Sequence, residues 1–65
     1  MNAMWQEIDA RQTDEGILRW EIDLVAGVHR VVLNAHDETE HTLGDGVDAT
    51  TARNLYDHPF VGWKR

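Results

Sequence analysis

The 65-residue sequence predicts an α+β fold in which a three-stranded antiparallel β-meander is followed by one short α-helix packed on the sheet. Apolar and polar residues alternate in the first half, turn residues separate the alternating segments, and a helix-capping residue is followed by a proline. We expect one small domain over residues 1–65, with strands at about 4–12, 17–25 and 28–36.

The predicted central strand has the clearest pattern, because every second residue from 17 to 25 is apolar. The residues expected to face the core are Leu18, Trp20, Ile22 and Leu24. The opposite, outer face of this strand carries Arg19, Glu21 and Asp23. Strict alternation is typical of a strand with one buried and one solvated face.

The first predicted hairpin turns just before Gly16, a residue suited to positive φ. Two registers fit the sequence: Asp9 opposite Arg19, or a tight turn closed by Thr13 and Ile17. In both, the outer face of the first strand carries Trp5, Glu7, Asp9 and Arg11.

The second predicted hairpin has a two-residue turn closed by Val25 and Val28. This register places an acid, Asp23, opposite a base, Arg30, and it gives each core-facing residue of the central strand an apolar partner. Trp20 then lies in the middle of the buried face.

The last third of the chain changes character. Residues 37–47 are acidic and form either a loop or a short fourth strand, so that the sheet has three or four strands. Asp48 predicts the N-cap of a helix over about 49–57, and Pro59 ends it. The apolar stripe of this helix consists of Ala52, Leu55 and Tyr56. The segment 59–65 is an apolar tail that we expect to dock on the domain or on another chain.

Composition excludes several functional classes. The net charge of −6 argues against binding nucleic acid through phosphate contacts. The sequence has no apolar run long enough for a membrane span and no signal-peptide pattern, which predicts a cytoplasmic protein. Serine and cysteine are absent and the one lysine is next to last, which removes most covalent catalysis. We therefore expect no enzymatic activity and no cofactor.

The acidic segment contains a candidate metal site. His36, Glu38 and Glu40 share one strand parity and could hold a divalent ion with a further ligand, whereas His41 has the opposite parity. The alternative is a solvated acidic edge that discourages unwanted strand pairing. We expect no metal, and these four residues are the candidates if one binds.

Two families share features with the sequence. The predicted order of three strands and a helix resembles plant AP2-type DNA-binding domains, whose arginine-rich sheet enters the major groove. The outer face here carries acids instead, so DNA binding is not implied; the acids are Glu7, Asp9, Glu21 and Asp23. The run from Gly46 to Leu55 is similar to the strand-to-helix passage of HicB-type antitoxins, without their Pro-Gly turn. That resemblance implies a small acidic neutraliser.

These features favour a small acidic, non-enzymatic protein-binding module, such as an inhibitor, an antitoxin-like neutraliser or a phage-encoded modulator of a more basic protein. We expect a homo-oligomer, in particular a homodimer, or a subunit of a complex. The predicted interface residues are Trp5, Glu7, Glu21, Asp23, Asp37, Glu38, Glu40, Phe60 and Trp63. The alternatives are a metal- or ligand-binding protein centred on His36, Glu38, Glu40 and His41, and a structural subunit of a phage particle or larger complex.

Overall fold

A computed structural model describes residues 3–60 of the chain. The elements are β1 (Trp5–Thr13), β2 (Gly16–Asp23), β3 (Val28–Ala35), β4 (Glu40–Val47) and α1 (Ala49–Asp57). The strands form one antiparallel sheet in the order β1-β2-β3-β4, and α1 packs on one face of it. The predicted α+β fold is confirmed, and the acidic segment contributes the fourth strand.

The core lies between the sheet and α1. It consists of Leu18, Val31, Leu33, Ala52 and Tyr56. Trp20 lies against this cluster, with its ring centroid 5.8 Å from that of Tyr56. The Trp20 Nε1 donates a hydrogen bond to the Nδ1 of the buried His29 at 3.0 Å, so the polar edge of the indole is satisfied inside the domain.

Both ends of α1 are capped. The Asp48 carboxylate accepts a hydrogen bond from the Thr51 N–H at 2.8 Å, as the sequence predicts. At the other end, the His58 N–H donates to the Asn54 carbonyl at 2.9 Å. The Arg11 Nη2 donates to the Tyr56 carbonyl at 2.7 Å, so β1 supplies a cation to the negative end of the helix.

Between its turn and Asp9, the first hairpin has neither of the two registers expected from the sequence; from Trp5 to Glu7 it has the register that the Asp9–Arg19 pairing implies. Thr13 pairs with Gly16 across a two-residue turn, which places Asp9 opposite Trp20 and Arg11 opposite Leu18. The predicted placement of Asp9 and Arg11 on the outer face is therefore wrong, and so is the pairing of Asp9 with Arg19. The pairing shifts by one residue at a β-bulge between Glu7 and Asp9, which returns Trp5 and Glu7 to the outer face.

The second hairpin also differs from the prediction. Its turn has four residues instead of two, and Asp23 pairs with Val28. The Asp23 carboxylate accepts from the Val25 N–H at 2.9 Å, and the Asp23 carbonyl accepts from the Gly27 N–H at 2.7 Å, which stabilises the longer turn. The shift of two residues keeps each face intact, but Arg30 now lies opposite Glu21 instead of Asp23.

The helix covers only part of the sheet. It packs against β2, β3 and β4, and among the described residues its backbone has no close approach to β1. The β1 residues from Gln6 to Gln12 are all exposed. The edge strand β1 is therefore open on both faces, and it reaches α1 through the Arg11 side chain.

No helix within residues 3–60 has the length and apolarity needed to cross a membrane.

Gly16 is required where β2 begins. Its φ is +143°, and a Cβ there would collide with the Asn34 carbonyl oxygen of β3. We expect Gly16→Ala to lower the free energy of unfolding by about 3 kcal/mol, from steric overlap and backbone strain together. Gly27→Ala is the matched control, because Gly27 also has a positive φ but open space around it, and should cost about 1 kcal/mol. Equal losses in urea unfolding would contradict this account.

Candidate interaction surfaces

An ion-pair network occupies the outer face of the sheet. The Glu21 carboxylate accepts from Arg30 Nε at 2.7 Å and from Arg19 Nη1 at 3.3 Å. The Arg19 Nη2 also reaches Glu40 at 3.2 Å. The Arg30 guanidinium lies over the Trp5 ring, 4.0 Å from its centroid. These contacts tie all four strands together on the side opposite α1.

The ion-pair network includes Glu21, one of the acids that the sequence places on the outer face. Glu21 is only 7% exposed and holds two arginines, so its charge is matched within the domain. Val32 lies on the same face, opposite Arg19, and is also buried. Side-chain stems of arginine shield apolar neighbours while their charged ends stay hydrated. The outer face of the sheet is therefore a second packed surface, and it is not a solvent-exposed face of unpaired acids.

Asp23 stabilises the chain locally. Its Oδ1 accepts from the Val25 N–H at 2.9 Å and from the Met4 N–H at 3.2 Å, and the residue is 7% exposed. The Val25 N–H holds the pKa of Asp23 below its ordinary value of 3.8; burial opposes this effect and the Met4 N–H adds to it. Asp23 thus connects the start of β1 to the β2–β3 turn.

The predicted acidic segment begins in a structured turn. The Asp37 Oδ1 accepts from the Thr39 hydroxyl at 2.5 Å and from the Thr39 N–H at 3.1 Å. The Thr39 hydroxyl lowers the pKa of Asp37, and the Thr39 N–H adds to the effect. Glu38 has a φ of 69°, and the Thr39 hydroxyl also lies 2.9 Å from His41 Nε2.

The four candidate metal ligands are not brought together. His36 Nε2 lies 3.0 Å from the Asp14 carbonyl oxygen, and Glu40 pairs with Arg19. Among residues 3–60, no three His, Asp or Glu side chains are arranged to hold an ion. No observation therefore favours the metal-binding alternative.

A cleft of about 400 Å³ lies where the β1–β2 turn approaches the end of α1. It is lined by Arg11, Thr13, Asp14, Glu15, Asp57, Pro59 and Phe60. The Thr13 hydroxyl donates to the Gly16 carbonyl at 2.8 Å, so the one hydroxyl in the lining is engaged in the turn. Asp57 lies 3.8 Å from Arg53. This arrangement offers no activated nucleophile.

An apolar patch lies at the opposite end of the first hairpin, and we call it the turn patch. It consists of Met4, Leu24 and Val25, which are 58%, 53% and 48% exposed. The Leu24 N–H donates to the Met4 carbonyl at 2.9 Å, which holds the two segments side by side. The prediction that Leu24 faces the core is wrong, because β2 ends at Asp23 and Leu24 is the first residue of the turn.

The predicted interface residues differ in exposure. Glu21 and Asp23 are buried in intramolecular contacts; Glu7, Asp37, Glu38 and Glu40 are exposed; Trp5 and Phe60 are half-buried; Trp63 lies outside the described residues. Phe60 packs against the core on the helix side. The alternation of apolar residues does not predict the exposure of Leu24, and the signal that could have found it is the capacity of Asp23 to cap a longer turn.

Comparisons with protein-family models, with curated proteins and with solved structures found no match to this chain. No function is therefore carried over from a relative, and the two resemblances noted from the sequence gain no support.

The Glu21 network yields a stability prediction. We expect Glu21→Gln to lower the free energy of unfolding by about 2 kcal/mol, because it leaves Arg19 and Arg30 without their shared carboxylate. Glu7→Gln is the matched control, since Glu7 is exposed and lies directly opposite Glu21. Removing that like-charge neighbour should be neutral or slightly stabilising. Urea unfolding of both variants checks this, and a larger loss in Glu7→Gln would refute it.

Asp23 yields a pH prediction. Because its folded pKa is lowered, its stabilising contribution is complete above the ordinary value of 3.8 and is lost as the pH falls below 3.8 through the folded pKa. The Asp23→Asn variant keeps an acceptor for the Val25 N–H but does not titrate. We expect its free energy of unfolding to fall less steeply with acidification below 3.8 than that of the wild type. Identical slopes in urea titrations would show that Asp23 makes no such contribution.

Proposed function

We propose that the protein is a small acidic, non-enzymatic binding module that docks on a more basic protein through the turn patch. The observation that carries this proposal is the exposure of Met4, Leu24 and Val25 side by side at one end of the sheet. Neighbouring exposed apolar side chains are typical of protein-protein interfaces, where they anchor the complex by desolvation.

The turn patch is held in a defined shape, which favours binding. Asp23 accepts hydrogen bonds from both Met4 and Val25, so the two segments of the patch share one anchor. A patch on a rigid turn loses less conformational entropy on binding than a mobile loop does. The buried position of Asp23 thus gives this predicted interface residue a positioning role beneath the patch.

Charge supports a basic partner. The protein carries twelve acidic side chains and six basic ones. Arg19 and Arg30 are paired with Glu21, and Arg53 lies near Asp57. The surface that a partner meets is therefore strongly acidic, and an acidic field speeds association with a basic surface.

Two observations weigh against the other classes. The Thr13 hydroxyl in the cleft near Phe60 is engaged in the β1–β2 turn, and the candidate metal ligands within residues 3–60 are apart, so neither feature supports catalysis or ion binding. On the outer face of the sheet, Arg19 and Arg30 both pair with Glu21, so little positive surface is left for phosphate contacts.

The test uses the double variant Leu24→Asp/Val25→Asp. A tagged wild-type protein is used to identify partners by quantitative co-purification from its native source, and the purified partner is then measured by calorimetry. We expect the double variant to bind about 10- to 100-fold more weakly, because two apolar anchors are lost. Rising salt should slow association of the wild type.

The matched control is Ile17→Asp. Ile17 is 49% exposed, nearly the same as Val25, and lies at the far end of β2. The proposal predicts that this variant binds like the wild type. Equal loss in both variants, or no loss in the double variant, would contradict docking through the turn patch.

A further inference from the structure

The strand β1 is a long open edge. Its residues from Gln6 to Gln12 are exposed, α1 does not cover it, and its sequence contains no proline, glycine or lysine. Proline and lysine are among the residues that keep an exposed edge from pairing with another strand. The pairing of β1 with β2 is interrupted once, at the bulge between Glu7 and Asp9, and is regular from Asp9 to Thr13. The pairing of the opposite edge, β4, with β3 is interrupted twice, between His29 and Arg30 and between Val31 and Val32.

The hairpin geometry fixes which backbone groups of β1 point outward. Thr13 and Gly16 close a two-residue turn and form a hydrogen-bonded pair, and such pairs alternate along an antiparallel ladder. The N–H and C=O groups of Ala10 and Gln12 therefore point away from β2. The Ala10 N–H does point outward, since it donates to the Asp9 carboxylate at 2.9 Å instead of to β2.

We propose that β1 pairs antiparallel with β1 of a second copy of this chain, about a two-fold axis at Ala10, to form a closed dimer with a continuous eight-stranded sheet. In this register Ala10 lies opposite the partner's Ala10, and their outward N–H and C=O groups bond each other. Asp9 lies opposite the partner's Arg11, and Arg11 lies opposite the partner's Asp9. Two reciprocal charge pairs thus flank the axis.

Charge selects this register over its neighbours. Outward groups can meet outward groups only when the pairing shifts by two residues at a time. A shift in one direction places Asp9 opposite the partner's Asp9, and a shift in the other places Arg11 opposite the partner's Arg11. Each of these registers puts like charges at the axis, whereas the register centred on Ala10 puts opposite charges on both sides of it.

The groups involved can make the new contacts without unfolding the domain. The Asp9 carboxylate releases the exposed Ala10 N–H when the partner's carbonyl replaces it. Arg11 uses only its Nη2 on the Tyr56 carbonyl, and a guanidinium has further donors for a carboxylate. The Arg11 guanidinium also lies over the Tyr56 ring, with its Cζ 5.2 Å from the ring centroid. The new charge pairs therefore form beside the last turn of α1.

The dimer is closed because each copy has one suitable edge. A two-fold axis perpendicular to the sheet keeps both helices on the same face, and both β4 strands become the outer edges. Their two pairing irregularities disfavour further extension. This inference goes beyond the proposed function, because it concerns a second copy of the chain and an edge apart from the turn patch, so either can fail while the other stands.

The first test compares two charge reversals by sedimentation equilibrium of the full chain over a wide concentration range. Asp9→Arg places an arginine opposite the partner's Arg11 on both sides of the axis, and we expect the dimer dissociation constant to rise at least about tenfold. Glu7→Arg is the control, because it changes the net charge equally but Glu7 lies beyond the bulge, away from the axis at Ala10. We expect no weakening in the control. A monomeric wild type, a weaker dimer in the control than in Asp9→Arg, or open-ended assembly would overturn the proposal.

The second test reads the register directly and leaves Arg11 unchanged. The chain has no cysteine, so Ala10→Cys and Gln12→Cys each introduce a single thiol. In the proposed dimer the two Cβ atoms at position 10 are about 5 Å apart, and those at position 12 are about 13 Å apart along the strands. Mild oxidation should therefore crosslink Ala10→Cys quickly and Gln12→Cys slowly, with circular dichroism confirming that both are folded. Equal rates, or faster crosslinking at position 12, would overturn this register. Neither result bears on the turn-patch variants.

Discussion

The rest of the structure depends on one constraint, which is that a single short helix must cover a four-stranded sheet. The helix lies over β2, β3 and β4, where Leu18, Val31 and Leu33 form the core with Ala52 and Tyr56. Within residues 3–60, α1 leaves β1 uncovered, and the exposure of β1 follows from this.

Polar contacts stabilise the parts of the sheet that α1 does not cover. On the outer face, Glu21 joins Arg19 and Arg30, and Arg30 stacks on Trp5, so charged stems cover apolar surface. On the helix side, Arg11 joins β1 to the last turn of α1. A chain of this size buries little apolar area, so its folding stability depends on such contacts.

The parts of the fold that sequence predicted are those that local chemistry determines. The Asp48 cap, the stripe of Ala52, Leu55 and Tyr56, and the alternation of β2 each act over a few residues. The parts it missed depend on a bulge and on a turn two residues longer than predicted. The bulge at Ile8 moves Asp9 and Arg11 to the helix side, and the longer turn after Asp23 moves Leu24 out of the core and Glu21 opposite Arg30. Alternation does not reveal either change, because a bulge reverses the faces on one side of it only and a shift of two residues keeps every face. The contacts that bury Glu21 and Asp23 were therefore not predictable from alternation alone.

Amide hydrogen exchange of Ala10, Gln12 and Leu33, followed by NMR at low and high protein concentration, tests whether β1 is an open edge available for binding. We expect Ala10 and Gln12 to exchange rapidly in dilute solution and more slowly when concentrated, whereas Leu33, buried in β3, stays protected in both. Protection of Ala10 and Gln12 equal to that of Leu33 in dilute solution would contradict the open edge. Rapid exchange at every concentration would contradict its pairing with a second copy.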